Sequence, residues 1–215
     1  MKRKELTLGE EIANSITHGI GAVLSIAALV MLLFISIRYG QPLDIAGVAI
    51  FGCSMIFLYM MSTMCHSFAL SEGTTRKVFR ILDHSAIYVL IAGTYTPFCL
   101  SVIGGTQGYV ILVIQWGLAL TGILLRTLFY DRYTLVHVVI YLAMGWMVGV
   151  FIKSLYPIIS SGGLILLIAG GLSYSIGILF YAIRMFKYHH MVWHLFVIAG
   201  TACHFFLVYL YVLPR

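Results

Sequence analysis

Seven runs of apolar residues, each close to twenty residues long, take up almost the whole chain: about 19–37, 45–68, 82–103, 109–126, 133–152, 163–183 and 190–213. A helix needs about 20 apolar residues to cross a hydrocarbon core of ~30 Å, so each run is long enough to span a bilayer. Continuous runs of this length favour helices over a barrel, whose strands are ~10-residue segments of alternating polarity. Of the 215 residues, 61% are apolar and 9% are charged, whereas a soluble domain has about 45–50% and ~25%. So few charges exclude a water-soluble monomer and a disordered chain. The expectation is an all-α integral membrane protein: one seven-helix domain over 1–215, with a short segment 1–18 ahead of the first span. The connections leave no room for a soluble domain, and no internal repeat suggests a transporter built from inverted halves.

The basic residues sort by side, because alternate connections share a compartment. The N-terminus (Lys2, Arg3, Lys4) and the second, fourth and sixth connections (Arg76, Lys77, Arg80; Arg126, Arg132; Arg184, Lys187) hold ten of the thirteen Lys and Arg; Arg38, Lys153 and Arg215 fall on the other side. Basic loops stay in the cytoplasm, which places the N-terminus and segment 1–18 there and the C-terminus outside, the reverse of a G-protein-coupled receptor. The net charge of +6 therefore reports orientation and not a nucleic-acid partner. The basic start is separated from the first run by Glu5, Glu10 and Glu11, and the run is too long for a signal-peptide core, so it reads as a retained span. The cysteines Cys53, Cys65, Cys99 and Cys203 lie inside apolar runs and read as small buried hydrophobes.

Ionisable residues at membrane depth are costly and point to function. Given the orientation, His66 at the end of the second run, Asp83 at the start of the third and His190 and His194 at the start of the seventh share one depth. His190 and His194 are four apart, one turn along one helical face, and can chelate a single ion. The same step aligns Ser62 with His66. Three imidazoles and one open position are the ligand set of a catalytic zinc, which lowers the pKa of its water toward ~7; Asp83 could take a proton from that water. On spacing alone a polar helix entrance near the headgroups remains an equal reading.

These residues carry a wider resemblance. Ser62 with His66, then Arg80-Ile81-Leu82-Asp83-His84-Ser85-Ala86-Ile87, Gly93-Thr94-Tyr95-Thr96-Pro97, and His190 with His194 and His204 resemble the progestin and adipoQ receptor family, most closely its bacterial hemolysin III branch. The opening Glu10-Glu11-Ile12-Ala13-Asn14-Ser15-Ile16-Thr17-His18-Gly19 is similar to that branch as well, and the resemblance covers essentially the whole chain. It implies a multi-pass protein of the bacterial plasma membrane, within a wider group of seven-span proteins that includes alkaline ceramidases. It further implies Zn2+ held by His66, His190 and His194, and hydrolysis of a membrane lipid amide or ester, with effects on membrane lipid composition. Asp83 would shuttle the proton, and Ser62 would donate to the oxyanion. The animal receptors' long N-terminal extension has no counterpart in this sequence, so hormone reception is not implied. Two rival readings are a pore-forming cytolysin, which the name hemolysin suggests, and a zinc-containing lipid sensor or receptor without turnover.

The remaining candidates have plainer alternatives. Asn14 and His18, with Glu10 or Glu11 a turn earlier, could orient a zinc-bound imidazole or form the polar face of an interfacial helix. His204 lies ~15 Å deeper than His194 and reads as a buried hydrogen-bonded histidine; His84, His137 and His189 read as neighbours of the site or interfacial residues, not as ligands. Cys65 points ~100° away from His66. Gly145 and Gly149 read as a close helix approach within the bundle, and Pro97 as a kink.

Overall fold

The computed structural model describes residues 6–130, 132–183 and 186–214. Lys2, Arg3, Lys4, Arg184 and Arg215 of the charge comparison, together with Glu5, lie outside the described residues. Among those described, all regular structure is helical.

Helix α1 (Leu8–Tyr39) opens with a capping box. The Thr7 hydroxyl accepts the Glu10 N–H, while the Glu10 carboxylate accepts the Thr7 N–H at 2.9 Å and the Thr7 hydroxyl at 2.8 Å. The helix therefore starts well before the apolar run at 19, and most of segment 1–18 is its first turns. Its buried stripe there is Glu10, Asn14 and His18. A polar inward face breaks the apolar pattern by which a span is recognised.

The chain continues through α2 (Pro42–Ser67), α3 (Thr74–Pro97), α4 (Gly105–Leu128), α5 (Thr134–Trp146), the single turn α6 (Ile152–Leu155), α7 (Ser160–Ala182) and α8 (His189–Leu207). Pro97 brings no N–H to the helix ladder, and beyond it the chain widens into a π-helical turn over Phe98–Ile103. Six of these segments are long and apolar enough to cross a membrane; the run expected at 133–152 is a shorter apolar helix, Thr134–Val150. The α-helix stops at Trp146 for a local reason. The Val148 N–H is accepted by the Tyr95 hydroxyl at 2.9 Å, and the Gln115 amide donates to the Met144 carbonyl at 3.0 Å. Side chains from α3 and α4 thus engage both members of the pair that would form the next i→i−4 bond, and a 3-10 turn follows over Met147–Val150.

Leu32, Val48, Phe51 and Met55, at 0–1% exposure, bring α1 and α2 into the main core. Glycines admit the larger rings: a Cβ on Gly21 would lie 2.7 Å from the Tyr59 ring, and one on Gly122 would collide with Tyr88. Gly145 and Gly149 do not serve this purpose. A Cβ on either meets nothing within 4 Å, because α5 turns a different face, with His137, Tyr141 and Met144, toward its neighbours. Apolar side chains along the outer face of α1, such as Ile16, Ile20, Val23, Val30 and Phe34, are more than half exposed. Such a surface suits lipid and not water. The protein is a membrane-embedded, multi-pass helical bundle.

Candidate metal centre

The start of α1, the end of α2 and the starts of α3 and α8 meet at one end of the bundle. There His66, His190 and His194 each turn one ligand atom inward, and these atoms lie within 4.8 Å of one another. Ring centroids are 5.1 Å apart for His66 and His190, 5.0 Å for His66 and His194, and 4.7 Å for His190 and His194. The cluster could hold a metal ion. Tetrahedral zinc with nitrogen ligands at ~2.0–2.1 Å keeps its donors about 3.4 Å apart, so the donor atoms need close by at most about 1.4 Å.

The hydrogen bonds around the cluster suit a metal. The His66 Nδ1–H donates to Glu11 Oε2 at 2.6 Å, which leaves its lone pair on Nε2; that atom is buried and has no hydrogen-bond partner among the described residues. The His194 Nδ1–H donates to the Asn14 carbonyl at 3.2 Å, so its lone pair is again on Nε2. Metal-bound histidines are generally held in this way through the opposite nitrogen.

Asp83 completes the site from the first turns of α3. Its carboxylate lies beside the Ser62 hydroxyl and in the field of His66, Arg126 and Arg80, and its Oδ2 is 3.6 Å from His84 Nδ1. Ser62 is 2% exposed. The structure thus brings together all five residues expected from sequence: Ser62, His66, Asp83, His190 and His194. Cys65 is not among the converging ligand atoms; its thiol lies beside Asp83.

Asn14 and His18 also reach the cluster, each by a route that spacing does not reveal. Asn14 uses its backbone carbonyl, and its side-chain amide atoms are buried without a partner among the described residues. His18 stacks on His194, and neither of its ring nitrogens has a hydrogen-bond partner among the described residues. Of the two glutamates, Glu11 reaches His66, while Glu10 caps α1 and accepts the Tyr188 N–H at 3.1 Å, which ties α1 to the start of α8. The other histidines have partners of their own. His84 and His189 donate to the Arg80 and Phe180 carbonyls, His137 shares a hydrogen bond with the Tyr88 hydroxyl, and His204 Nε2 donates to the Leu167 carbonyl.

Arg126 was counted above among the charges that mark one side, yet it is 1% exposed, and its Nε and one terminal nitrogen have no hydrogen-bond partner among the described residues. One turn earlier, Gly122 leaves room for the Tyr88 ring over α4.

Helices of membrane length around a three-histidine cluster define a class: a multi-pass membrane protein with a potential metal centre at one end of its bundle. Residues 6–205 match the family described as Haemolysin-III related. The chain belongs to that family, the bacterial branch of the progestin and adipoQ receptor proteins. It is 48% identical over 205 residues to the Hemolysin-3 homolog of Bacillus subtilis (strain 168), covering 95% of each chain. It is 44% identical over 214 residues to Hemolysin-3 of Bacillus cereus, covering 100% of this chain and 97% of the relative. At 28% identity it is also similar to the human monocyte to macrophage differentiation factor, over 97% of this chain and 87% of the relative.

Proposed function

We propose that this chain is a zinc-dependent membrane hydrolase of a lipid amide or ester. In this reading it crosses a bacterial plasma membrane seven times, α5 included, with its N-terminus and metal centre on the cytoplasmic side. The observation that carries the reading is the convergence of His66, His190 and His194 beside Asp83 and Ser62. A closed structural zinc takes four protein ligands, whereas three imidazoles leave a position for substrate or water. Bound there, zinc would supply Lewis acidity toward a carbonyl oxygen and acidify a water molecule.

The protein's own residues supply the rest. Asp83 is the carboxylate placed to accept a proton from the attacking water and return it to the leaving nitrogen or oxygen. The Ser62 hydroxyl donates to the oxygen that becomes negative as the carbonyl carbon turns tetrahedral. Water adds across the C–N or C–O bond, giving a fatty acid and an amine or alcohol. The headgroup-level position leaves the acyl tail among the helices.

Two observations support the topology. At 1.5 Å per α-helical and ~2 Å per 3-10 residue, Thr134–Val150 is about 28 Å long, close to the hydrocarbon thickness. It also runs alongside α3, with His137 on Tyr88 near one end and Gly145 on Tyr95 near the other. The proposed orientation is supported by Arg76, Lys77, Arg80, Arg132 and Lys187 at the metal end, against Arg38 and Lys153 at the other.

The test is metal analysis of the purified protein together with mass spectrometry of lipids incubated with it. Zinc near one per chain and a lipid cleaved by the wild type but not by His190→Ala are expected. Zinc without turnover of any lipid would favour a sensor. Two bacterial relatives are named for hemolysis; here lysis is read as a consequence of altered lipids. Zinc-free protein that lysed erythrocytes at an unchanged rate would favour a pore instead.

A further inference from the structure

We infer that Glu11 is the positioning residue of the metal centre, holding His66 in the form that offers Nε2 to the ion. This rests on the zinc reading above and adds a residue to it. A carboxylate can only accept, so the 2.6 Å contact fixes the proton on His66 Nδ1. A neutral imidazole protonated there has one remaining lone pair, on Nε2. That atom is buried and has no partner among the described residues, a costly arrangement unless a ligand completes it.

Spacing along α1 makes the arrangement systematic. Glu11, Asn14 and His18 stand at i, i+3 and i+7, on one face of the helix. From that face Glu11 holds His66, while the Asn14 carbonyl and the His18 ring hold His194. One helix that supplies no ligand thus sets two of the three. Its register against α8 is fixed one residue earlier, where Glu10 accepts the Tyr188 N–H.

Glu11 also faces outward. It lines a recess of about 370 Å³ between the start of α1 and the α2–α3 connection, together with Leu6, Glu72, Gly73 and Arg76. The side chains of Glu11 and His66 are 14% and 9% exposed.

The test is zinc affinity of the full chain in detergent, read by competition with a chromophoric chelator, with the absorption of the Co2+-substituted protein as a second readout. Positioning partners of metal-bound histidines are generally worth about 10–100-fold in affinity. Glu11→Ala is expected to weaken zinc by that factor and to change the cobalt spectrum. Glu11→Gln, which keeps an acceptor without the charge, should fall between, and it serves alone if the alanine variant aggregates. In a His66→Asn background, Glu11→Ala should cost nothing further, since the ring it holds is gone. Affinity within twofold of wild type for Glu11→Ala, or an equal loss in both backgrounds, overturns the inference and leaves the zinc reading intact. Wild-type protein that takes up no zinc overturns both.

Discussion

The imidazole of His18 lies flat against that of His194, with 3.5 Å between ring centroids and 9° between their planes. Tyr59 closes the other side edge-on at 5.0 Å. In this pose the two rings cannot direct nitrogens at one ion, so His18 braces His194 and does not share an ion with it. Both of its nitrogens are buried without partners among the described residues, and an unpaired buried polar group costs about 1–3 kcal/mol. His18→Phe, which keeps the flat face and removes the unpaired atoms, is expected to bind zinc at wild-type stoichiometry and to melt higher than the parent. Loss of the metal in that variant would show that His18 is itself a ligand.

In the proposed hydrolase, Asp83 and Ser62 separate chemistry from metal binding. Neither contributes a ligand atom to the cluster, so Asp83→Asn and Ser62→Ala should both retain zinc. Removing a positioned general base typically costs about 10²–10⁴ in rate, and removing one oxyanion donor about 10²–10³. The expected result is full metal content with hydrolysis reduced by those factors, measured on whichever lipid the wild type cleaves. Undiminished hydrolysis by Asp83→Asn would remove Asp83 from the reaction.

The convergence of Ser62, His66, Asp83, His190 and His194 at one end of the bundle was legible from spacing and depth, while their roles came only from the resemblance. His190 and His194 sit one turn apart, Ser62 and His66 likewise, and all lie at span ends of one depth. The surroundings were less legible. Whether Glu10 or Glu11 reaches an imidazole depends on how α1 is rotated, and that is set by a capping box and the Tyr188 contact, 178 residues away in the chain. Asn14 acts through a carbonyl that every residue possesses. Arg126 looked like a loop charge because its place at the end of an apolar run is where such charges usually mark a side. In the fold, the six longer spans followed from hydropathy. The early start of α1 did not, because its inward face is polar, and neither did the early end of α5, because the groups responsible come from α3 and α4.

If the cluster binds zinc only in the folded state, metal and stability are linked. A ligand present at 100 times its dissociation constant stabilises by about 2.7 kcal/mol. Stripping the protein with a strong chelator in detergent should therefore lower its melting temperature, and one equivalent of Zn2+ in excess buffer should restore it. His190→Ala, which removes one of three ligands, is expected to melt at the same temperature with and without chelator. A chelator-sensitive melt in that variant would place the stabilising ion elsewhere.

The junction at the end of α5 predicts a stability effect that leaves the metal alone. Tyr95 accepts the Val148 N–H at 2.9 Å and donates to the Gly145 carbonyl at 2.7 Å, and it is 7% exposed. Tyr95→Phe keeps the ring and removes both bonds, leaving a backbone N–H without its acceptor in a bundle where no water replaces it. The cost of one such orphan is about 1–3 kcal/mol. Tyr95 is twelve residues beyond Asp83 on α3, about 18 Å along the helix, too far to disturb the histidines. Tyr95→Phe should therefore unfold at lower temperature with unchanged zinc stoichiometry. An unchanged or higher melting temperature would mean that α5 regains its own bond from Val148 to Met144 once the tyrosine hydroxyl is gone, and that the 3-10 turn is imposed by Tyr95 and not intrinsic to Met147–Val150.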